Sequence, residues 1–163
     1  MINSYRAYYL SPIGLVEIIA DESGILGFYF VDKKKFRKNN VSPLLNDSVR
    51  QVDEYFKGQR KSFDIPLNPL GTEFQKKVWK ELLYIPFGKT VFYLDISKAI
   101  GDGNATRVVG NANGKNPISV LVPCHRVIGV NGTLTGYGGG LWRKKWLLNH
   151  ERNILYGKQT QLF

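Results

Sequence analysis

A short segment rich in proline and glycine divides the chain into two parts whose hydrophobic patterns differ. It reads Pro66-Leu67-Asn68-Pro69-Leu70-Gly71, and residues of this kind end regular structure. Before it, apolar and polar residues alternate as in half-buried strands; after it, apolar residues recur at helical spacing. With 163 residues, of which 43% are hydrophobic, the chain can form one domain or two small ones. We therefore predict two domains, at residues 1–69 and 70–163.

The first part predicts a small antiparallel sheet followed by a helix. Between residues 5 and 31, two turn sequences at 11–14 and 21–24 separate short alternating runs, which indicates a three-stranded meander. Residues 43–56 carry apolar side chains at helical spacing and predict a helix. The run Lys33-Lys34-Lys35-Phe36-Arg37-Lys38 is interpreted as a solvated charged segment.

The second part predicts a mostly helical domain. Thr72-Glu73-Phe74-Gln75 is a capping-box pattern that opens a helix. Two short helices at about 94–100 and 105–113, separated by a glycine turn, suit a helix-turn-helix, although many folds that never touch DNA share this pattern. A further helix is predicted at 141–150. The fold class is therefore α+β, with a three-stranded antiparallel sheet and helix followed by a helical domain.

The positive charge is concentrated in the second part. The formal net charge is +10, and Lys and Arg outnumber Asp and Glu by ten to eight in residues 1–69 but by thirteen to five in residues 70–163. Such an excess is typical of a surface that meets phosphates. It also occurs on basic proteins that bind no nucleic acid, so charge alone leaves both interpretations open.

The chain has one cysteine, Cys124, and two histidines. This composition excludes an internal disulfide and a cysteine-rich zinc site and leaves few ligands for any metal, so we predict no metal and no cofactor. A lone thiol suits the reducing cytosol. The first residues carry no signal-peptide pattern, and no apolar run approaches membrane-spanning length. We expect a cytoplasmic protein with no membrane partner.

The residues around Cys124 present its thiol as a nucleophile. The cysteine ends an apolar run and is followed at once by His125 and Arg126, which favour the reactive thiolate. A buried, inert structural cysteine is the alternative. The polar pair and the Asn116-Pro117 turn shortly before it favour the nucleophile.

Further residues stand in register with this cysteine. The set comprises Pro123-Cys124-His125-Arg126-Val127, Asn116-Pro117, Gly136-Tyr137, Tyr93, Arg107 and Glu151. Together they closely resemble the O6-alkylguanine-DNA alkyltransferases, also called methylated-DNA–protein-cysteine methyltransferases. The resemblance covers most of residues 72–151, whereas the first 70 residues are similar mainly in their predicted sheet and helix. It implies a ribonuclease H-like first domain and DNA repair by direct reversal.

By this resemblance, Cys124 attacks the alkyl carbon on guanine O6 and keeps the alkyl group as a stable thioether, so each molecule acts once. His125 and Glu151 resemble the relay that activates the thiol, and Asn116 resembles the hinge that ties the turn to the active-site strand. Because successive residues of an extended segment point to opposite faces, we expect a water between Cys124 and His125.

The resemblance also implies a pocket for the extruded guanine. It comprises Tyr137, Pro117, Val127 and the Gly138 amide, with the carbonyls of Cys124 and Val127 at the base edge. A hydrogen bond that stabilises the leaving oxygen comes from Tyr93 or Tyr137, and the sequence does not choose between them.

Extruding the nucleotide costs a few kcal/mol, and the resemblance assigns residues to this step. Arg107 resembles the arginine that fills the vacated stack, and Tyr93 the residue that crowds the 3′ phosphate. The second short helix is expected to enter the minor groove, where little sequence is read. Its small residues are Ala105, Thr106, Val109, Gly110, Ala112 and Gly114, and the predicted phosphate contacts are Lys98, Lys115 and Arg126.

The predicted partner is double-stranded DNA containing alkylated guanine, bound by a monomer, with O4-methylthymine as a second substrate. Residues 1–69 are expected to act as a scaffold. Two other classes of protein stay open. The first is a protein that binds the lesion but transfers no alkyl group, and the presence of Cys124 argues against it. The second is a cysteine hydrolase in which Cys124 pairs with His150 or His125.

Overall fold

The helices and strands fall into two groups, separated in sequence by the proline-rich segment. The computed structural model of the protein describes residues 3–33, 40 and 42–157. The chain divides into two compact units, Met1–Leu70 and Gly71–Phe163. No helix in the described ranges combines the length and the apolar character needed to cross a membrane.

The first unit contains the predicted antiparallel meander. Its strands are β1 (Tyr5–Ser11), β2 (Gly14–Ala20) and β3 (Ile25–Phe30), hydrogen-bonded in the order β1-β2-β3. Alternate side chains of the central strand are buried, since successive residues of a strand face opposite sides. The prediction of a three-stranded sheet is confirmed.

Helix α1 (Pro43–Phe56) packs against β1 and β2 and has the predicted bounds. The Ser42 hydroxyl accepts a hydrogen bond from the Leu45 amide, and Pro43 in the first turn needs no amide hydrogen there. Leu45, Val52 and Tyr55 are fully buried, and burying a side chain of this size stabilises the fold by roughly 1.5–3 kcal/mol. Apart from Lys33, the predicted solvated run 33–38 lies outside the described residues.

Helix α2 (Glu73–Leu82) opens the second unit with the predicted capping box. The Gln75 amide donates to Thr72 Oγ1 at 3.1 Å, and the Thr72 amide donates to Gln75 Oε1 at 2.9 Å. On its buried face, the Trp79 indole N–H donates to the Ala112 carbonyl at 2.8 Å, which fixes the helix against its neighbour.

The predicted helix-turn-helix pair is present as α3 (Tyr93–Ala99) and α4 (Thr106–Gly114), each displaced by one residue from its expected start. Both helices pack against α2. The two residues immediately before α3 form the short strand β4 (Val91–Phe92). This strand pairs in parallel with β5 (Val127–Ile128), which follows the cysteine turn. The start of α3 therefore lies beside the cysteine segment, and the predicted α+β class is confirmed.

Helix α5 (Leu141–Tyr156) is six residues longer than predicted, because the sequence from Glu151 to Tyr156 contains no residue that breaks a helix. Gly157 ends it with a φ of 79°, a conformation that glycine adopts without steric cost. The longer helix places Glu151 within a regular turn, on the same face as Lys144, Leu147 and Leu148.

Candidate active site

Cys124 opens a short turn of 3₁₀ helix, Cys124–Arg126, that leads into β5. The prediction that this segment is extended is therefore wrong. The Cys124 amide donates to the Val122 carbonyl at 2.8 Å and the Arg126 amide to the Pro123 carbonyl at 3.0 Å, which closes the backbone tightly. With three residues per turn, successive side chains diverge by roughly 120°. Cys124 and His125 thus still point in different directions, and the intervening water stays a prediction.

Asn116 brackets the backbone that precedes the cysteine. Its Nδ2 donates to the Val122 carbonyl at 2.8 Å, and its Oδ1 accepts from the Ile118 amide at 3.0 Å. Between these anchors, Val120 has a φ of 70°, which costs a β-branched residue about 1–3 kcal/mol. The Asn116 side chain therefore holds a strained turn in place directly before Cys124, and its role as a hinge stays a prediction.

The thiol of Cys124 is buried, with 4% of the residue exposed. Burial raises its pKa above the ordinary value, while a hydrogen bond from Asn116 and the positive charge of Lys144 act in the opposite direction. At neutral pH the thiol is consequently protonated, and it needs a base to become a nucleophile.

The predicted base, His125, lies next to it in sequence. His125 Nε2 is 2.7 Å from Glu151 Oε2, and both side chains are fully buried. Burial lowers the pKa of His125, so the ring is neutral at pH 7. An ionised carboxylate only accepts hydrogen bonds, so Nε2 must carry the hydrogen. Nδ1 is then free to accept a proton, and it has no hydrogen-bond partner within the described part of the chain.

Arg126 is buried behind this pair. Its Nε and Nη2 donate to the two oxygens of Glu151 at 2.8 and 3.0 Å, and its Nη1 donates to the Ile85 carbonyl at 2.8 Å. The Gly88 amide adds a hydrogen bond to Glu151 at 3.0 Å. Burial raises the pKa of Glu151, but the hydrogen bonds from His125 and Arg126 and the positive charge of Arg126 outweigh this effect and hold that pKa well below its usual range. The predicted phosphate contact of Arg126 is not supported, because its guanidinium is enclosed and already bound.

Lys144 was missed in the sequence, where Lys144-Lys145 resembles a solvated pair. Its side chain is fully buried, and Nζ donates to the Thr135 carbonyl at 2.9 Å and contacts the Tyr93 hydroxyl at 3.5 Å. Burial lowers its pKa to about 8, although Cys124 favours the charged form of Lys144 whenever its thiol is ionised. Helical spacing from Leu147, Leu148 and Glu151 was the available signal for its burial.

Tyr93 and Tyr137 both stand near the thiol but in different surroundings. The Tyr93 hydroxyl donates to the Thr135 carbonyl at 3.1 Å and lies beside Lys144. The Tyr137 hydroxyl is buried and makes no hydrogen bond among the described residues. Burial is the main cause that raises the pKa of Tyr137 well above its ordinary value, and a negative charge on Cys124 would raise it further.

The glycine-rich loop that carries Tyr137 is held by Arg143 of α5. Arg143 Nη1 donates to the Gly139 carbonyl at 2.8 Å, and its guanidinium stacks on Trp142 at 4.4 Å from the ring centroid. Gly138 is exposed on this loop. Of the other predicted pocket residues, Pro117 is half-buried and Val127 is fully buried.

The Cys124 carbonyl, predicted at the base edge, already has two donors. It accepts from Asn113 Nδ2 at 3.2 Å and from the Val127 amide. A guanine amino group that used this carbonyl would therefore have to displace Asn113. Among the described residues, no group of three or more His, Cys, Asp or Glu side chains is placed to bind a metal.

The solvent-exposed face of helix α4 carries charged, polar and apolar residues. The exposed residues are Arg107, Val108, Asn111, Gly114 and Lys115, and on α3 the predicted contact Lys98 is also exposed. Thr106 and Gly110 are half-buried. Three of the small residues predicted at the surface, Ala105, Val109 and Ala112, are buried instead because they pack into the domain core. Val108 and Asn111 belong to the exposed face and were not predicted.

Comparison with known proteins identifies both units. Residues 73–153 match the family described as 6-O-methylguanine DNA methyltransferase, DNA binding domain, and residues 4–69 match its ribonuclease-like domain. The methylated-DNA–protein-cysteine methyltransferase of Methanosarcina acetivorans is 47% identical over 152 residues, which cover 90% of this chain and 97% of that protein. The protein of that name from Mycolicibacterium paratuberculosis is 44% identical, over 87% of this chain and 88% of its own.

Solved structures agree with this result. The O6-methylguanine methyltransferase of Mycobacterium tuberculosis has a TM-score of 0.83 and 39% identity, over 93% of this chain and 94% of its own. Mycobacterium tuberculosis OGT in complex with DNA has a TM-score of 0.82 and 42% identity, over 90% and 92% of the two chains. The expected resemblance is confirmed, and the chain belongs to the methylated-DNA–protein-cysteine methyltransferase family of enzymes.

Proposed function

We propose that this protein repairs double-stranded DNA by moving the alkyl group of O6-alkylguanine, and the methyl group of O4-methylthymine, onto Cys124. The sulfur of Cys124 forms a bond to the alkyl carbon while the bond between that carbon and O6 breaks. The electron pair of the broken bond stays on the guanine oxygen. The observation that carries the proposal is the buried series His125, Glu151 and Arg126 beside the only thiol. Nothing restores the thioether to a thiol, so each molecule acts once.

The proton of the thiol goes to His125 Nδ1 through a water. Glu151 stabilises the imidazolium that forms, because Nε2 already donates to it at 2.7 Å. Arg126 keeps Glu151 ionised by binding both of its oxygens. Asn116 supports the reaction by maintaining the turn and by favouring the thiolate.

The leaving guanine needs a hydrogen-bond donor, and the contacts favour Tyr93 over Tyr137. The Tyr93 hydroxyl lies 3.5 Å from the Lys144 ammonium, which can replace a proton that Tyr93 gives to the base. Tyr137 has no such donor and forms a wall of the pocket, with Pro117, Val127 and the Gly138 amide. Stabilising charge that develops on the leaving group is a major source of catalysis.

The exposed face of α4 is the part of the second unit that we propose to enter the minor groove. Arg107 makes no hydrogen bond or ion pair among the described residues and is therefore available to fill the stack that the extruded nucleotide leaves. Thr106, Lys115 and Lys98 are placed to contact the backbone, which makes binding sensitive to salt. We further propose that residues 1–69 act as a scaffold and that the protein is a cytoplasmic monomer, because a reactive thiol requires a reducing compartment.

The test is intact mass after incubation with duplex DNA containing O6-methylguanine. We expect one methyl group per chain in the wild type and none in Cys124→Ala, which should still bind the duplex. Binding without any gain in mass would support a lesion-binding protein instead. Repeated hydrolysis of an ester substrate by an unmodified chain would support a cysteine hydrolase.

A further inference from the structure

A polar cleft lies beside Gly88, next to the carboxyl end of α5. It has a volume of about 190 Å³, many times what a single water needs. Its lining consists of Gly88, Lys89, Thr90, Leu148, Arg152 and Tyr156. Of these residues, only Gly88 contacts the site proposed for alkyl transfer, because its amide donates a hydrogen bond to Glu151.

Two cations converge on one phenol ring in this cleft. Lys89 Nζ lies 5.4 Å from the centroid of the Tyr156 ring and donates to its hydroxyl at 2.7 Å, while the Arg152 guanidinium lies 5.5 Å from the same centroid. Neither cation forms an ion pair with a carboxylate of the described residues. Glu151, which precedes Arg152, is turned inward and bound by His125, Arg126 and Gly88.

The electrostatic potential of the cleft is therefore positive. Lys89, by hydrogen bond and by charge, and Arg152, by charge, lower the pKa of Tyr156. Bringing two like charges together is unfavourable unless a counter-ion balances them. An anion with several acceptor oxygens would offset this charge and could bind both cations at once.

We propose that this cleft binds a phosphate group. The remaining Nζ hydrogens of Lys89, the planar guanidinium of Arg152 and the hydroxyl of Thr90 are donors suited to phosphate oxygens. The phosphate comes either from the DNA backbone or from a free phosphate or nucleotide, and the same donors serve both. The proposal does not depend on alkyl transfer, since none of its three donors, Lys89, Thr90 and Arg152, takes part in that reaction.

The test is titration of the ¹⁵N-labelled protein with inorganic phosphate at constant ionic strength, followed through the Gly88 and Thr90 amide resonances. We expect a saturable shift in the wild type and in Lys145→Gln, a matched control on the exposed side of α5. In Lys89→Gln and in Arg152→Gln the affinity should fall by roughly tenfold or more, since each loses a hydrogen bond to a charged group. The double variant should show no saturable shift.

The proposal would be overturned if the double variant showed the same resonance shifts as the wild type, or if chloride produced the same shifts as phosphate. Either result would mean that the cleft binds an adventitious ion only. A second arm assigns the source of the phosphate. If the phosphate belongs to DNA, the affinity of each variant for an unmodified duplex should depend less steeply on salt concentration. The change in slope should correspond to the release of about one counterion fewer. If the phosphate is free, duplex binding is unchanged while the phosphate titration still saturates. Intact-mass measurement on the same samples keeps a failure of alkyl transfer separate from a failure of this site.

Discussion

Arg126 holds the carboxylate of Glu151 through two nitrogens at once, with Nε 2.8 Å from one oxygen and Nη2 3.0 Å from the other. Both side chains are buried, and Glu151 also binds His125. The residue after the proposed base thus supplies the charge that keeps the carboxylate ionised. In this chain, Cys124-His125-Arg126 places the proposed nucleophile, the proposed base and the arginine that supports it on consecutive residues of one 3₁₀ turn.

The first prediction concerns this buried ion pair. Glu151→Gln removes the negative charge and leaves Arg126 buried without compensation, so the free energy of unfolding should fall by about 3–5 kcal/mol, measured by urea denaturation. The double variant Arg126→Met with Glu151→Met should regain most of the stability, because two apolar side chains leave no unpaired charge. Alkyl transfer should stay impaired in both. A loss below about 1 kcal/mol in Glu151→Gln would contradict a buried, ionised pair.

A second prediction is the dependence of stability and reaction rate on pH. The pKa of His125 is lower in the folded protein than its ordinary value of 6.5, so the unfolded chain binds more protons as the pH falls below 6.5. The stability associated with neutral His125 is therefore complete above pH 6.5 and is lost progressively below it. Alkyl transfer to Cys124 should fall as well once the folded ring is protonated.

His125→Gln provides the comparison for this pH dependence. It should flatten the stability curve between pH 5 and pH 7, roughly the range in which the ordinary histidine titrates, and slow alkyl transfer at every pH. An unchanged slope in the variant would show that another group titrates. The curve is measured as the free energy of unfolding in buffers of equal ionic strength.

A third prediction separates stability from reactivity at Lys144. Its pKa falls from 10.5 to about 8 on folding, which corresponds to roughly 3 kcal/mol of unfavourable burial at pH 7. Lys144→Met removes this cost and a hydrogen bond worth about 1 kcal/mol, so the protein should become about 1–3 kcal/mol more stable. Alkyl transfer should slow, because Cys124 loses a nearby positive charge. A variant that is both less stable and equally reactive would contradict this role.

The fold was largely predictable, but the buried charges were not. The strands, α1 and the capping box of α2 follow from local patterns, as does the glycine turn between α3 and α4. The sequence favours a surface position for Arg126, because it does not show that Glu151, 25 positions away, compensates the charge of the arginine. The apolar pattern of α5 predicts too early an end for the helix, because the charged residues Glu151 and Arg152 interrupt it.

The sequence predicts an extended segment at Cys124, where the structure has a 3₁₀ turn. The difference arises because the turn depends on hydrogen bonds between a side chain and the backbone, which the hydrophobic pattern does not show. The apolar run before Cys124 resembles a strand, yet the side chain of Asn116 bends it back and holds Val120 at positive φ. On α4, the spacing of small residues does not reveal which of them are buried in the domain core. Packing against the neighbouring helices decides which residues are buried, and the sequence of one helix alone indicates this only weakly.

A fourth prediction tests Arg107. Arg107→Ala should slow alkyl transfer from duplex DNA but leave reaction with free O6-benzylguanine unchanged, because the free base needs no extrusion. Lys80→Ala, an exposed cation on α2, is the control for loss of one positive charge. Rates are measured by quenched single-turnover assays. Equal slowing with both substrates would contradict a role of Arg107 in extrusion.

A fifth prediction addresses the loop held by Arg143. Arg143→Met removes the hydrogen bond to the Gly139 carbonyl and frees a segment of four glycines and Tyr137. The saturating rate of alkyl transfer should fall with duplex and free base alike, while affinity for unmodified duplex is unchanged. Arg143→Lys, which keeps a donor, should recover part of the rate. Free-base reaction at the wild-type rate in Arg143→Met would contradict the effect of this loop on the pocket.

The stoichiometry of methyl transfer tests the proposed reaction most directly. A fixed amount of protein is titrated with duplex DNA containing O6-methylguanine, and methylation of Cys124 is quantified by peptide mass spectrometry. We predict that methylation rises linearly and stops at one methyl group per chain, with guanine restored in equal amount. Guanine restored in excess over protein, or a plateau reached with Cys124 unmodified, would contradict transfer to this thiol.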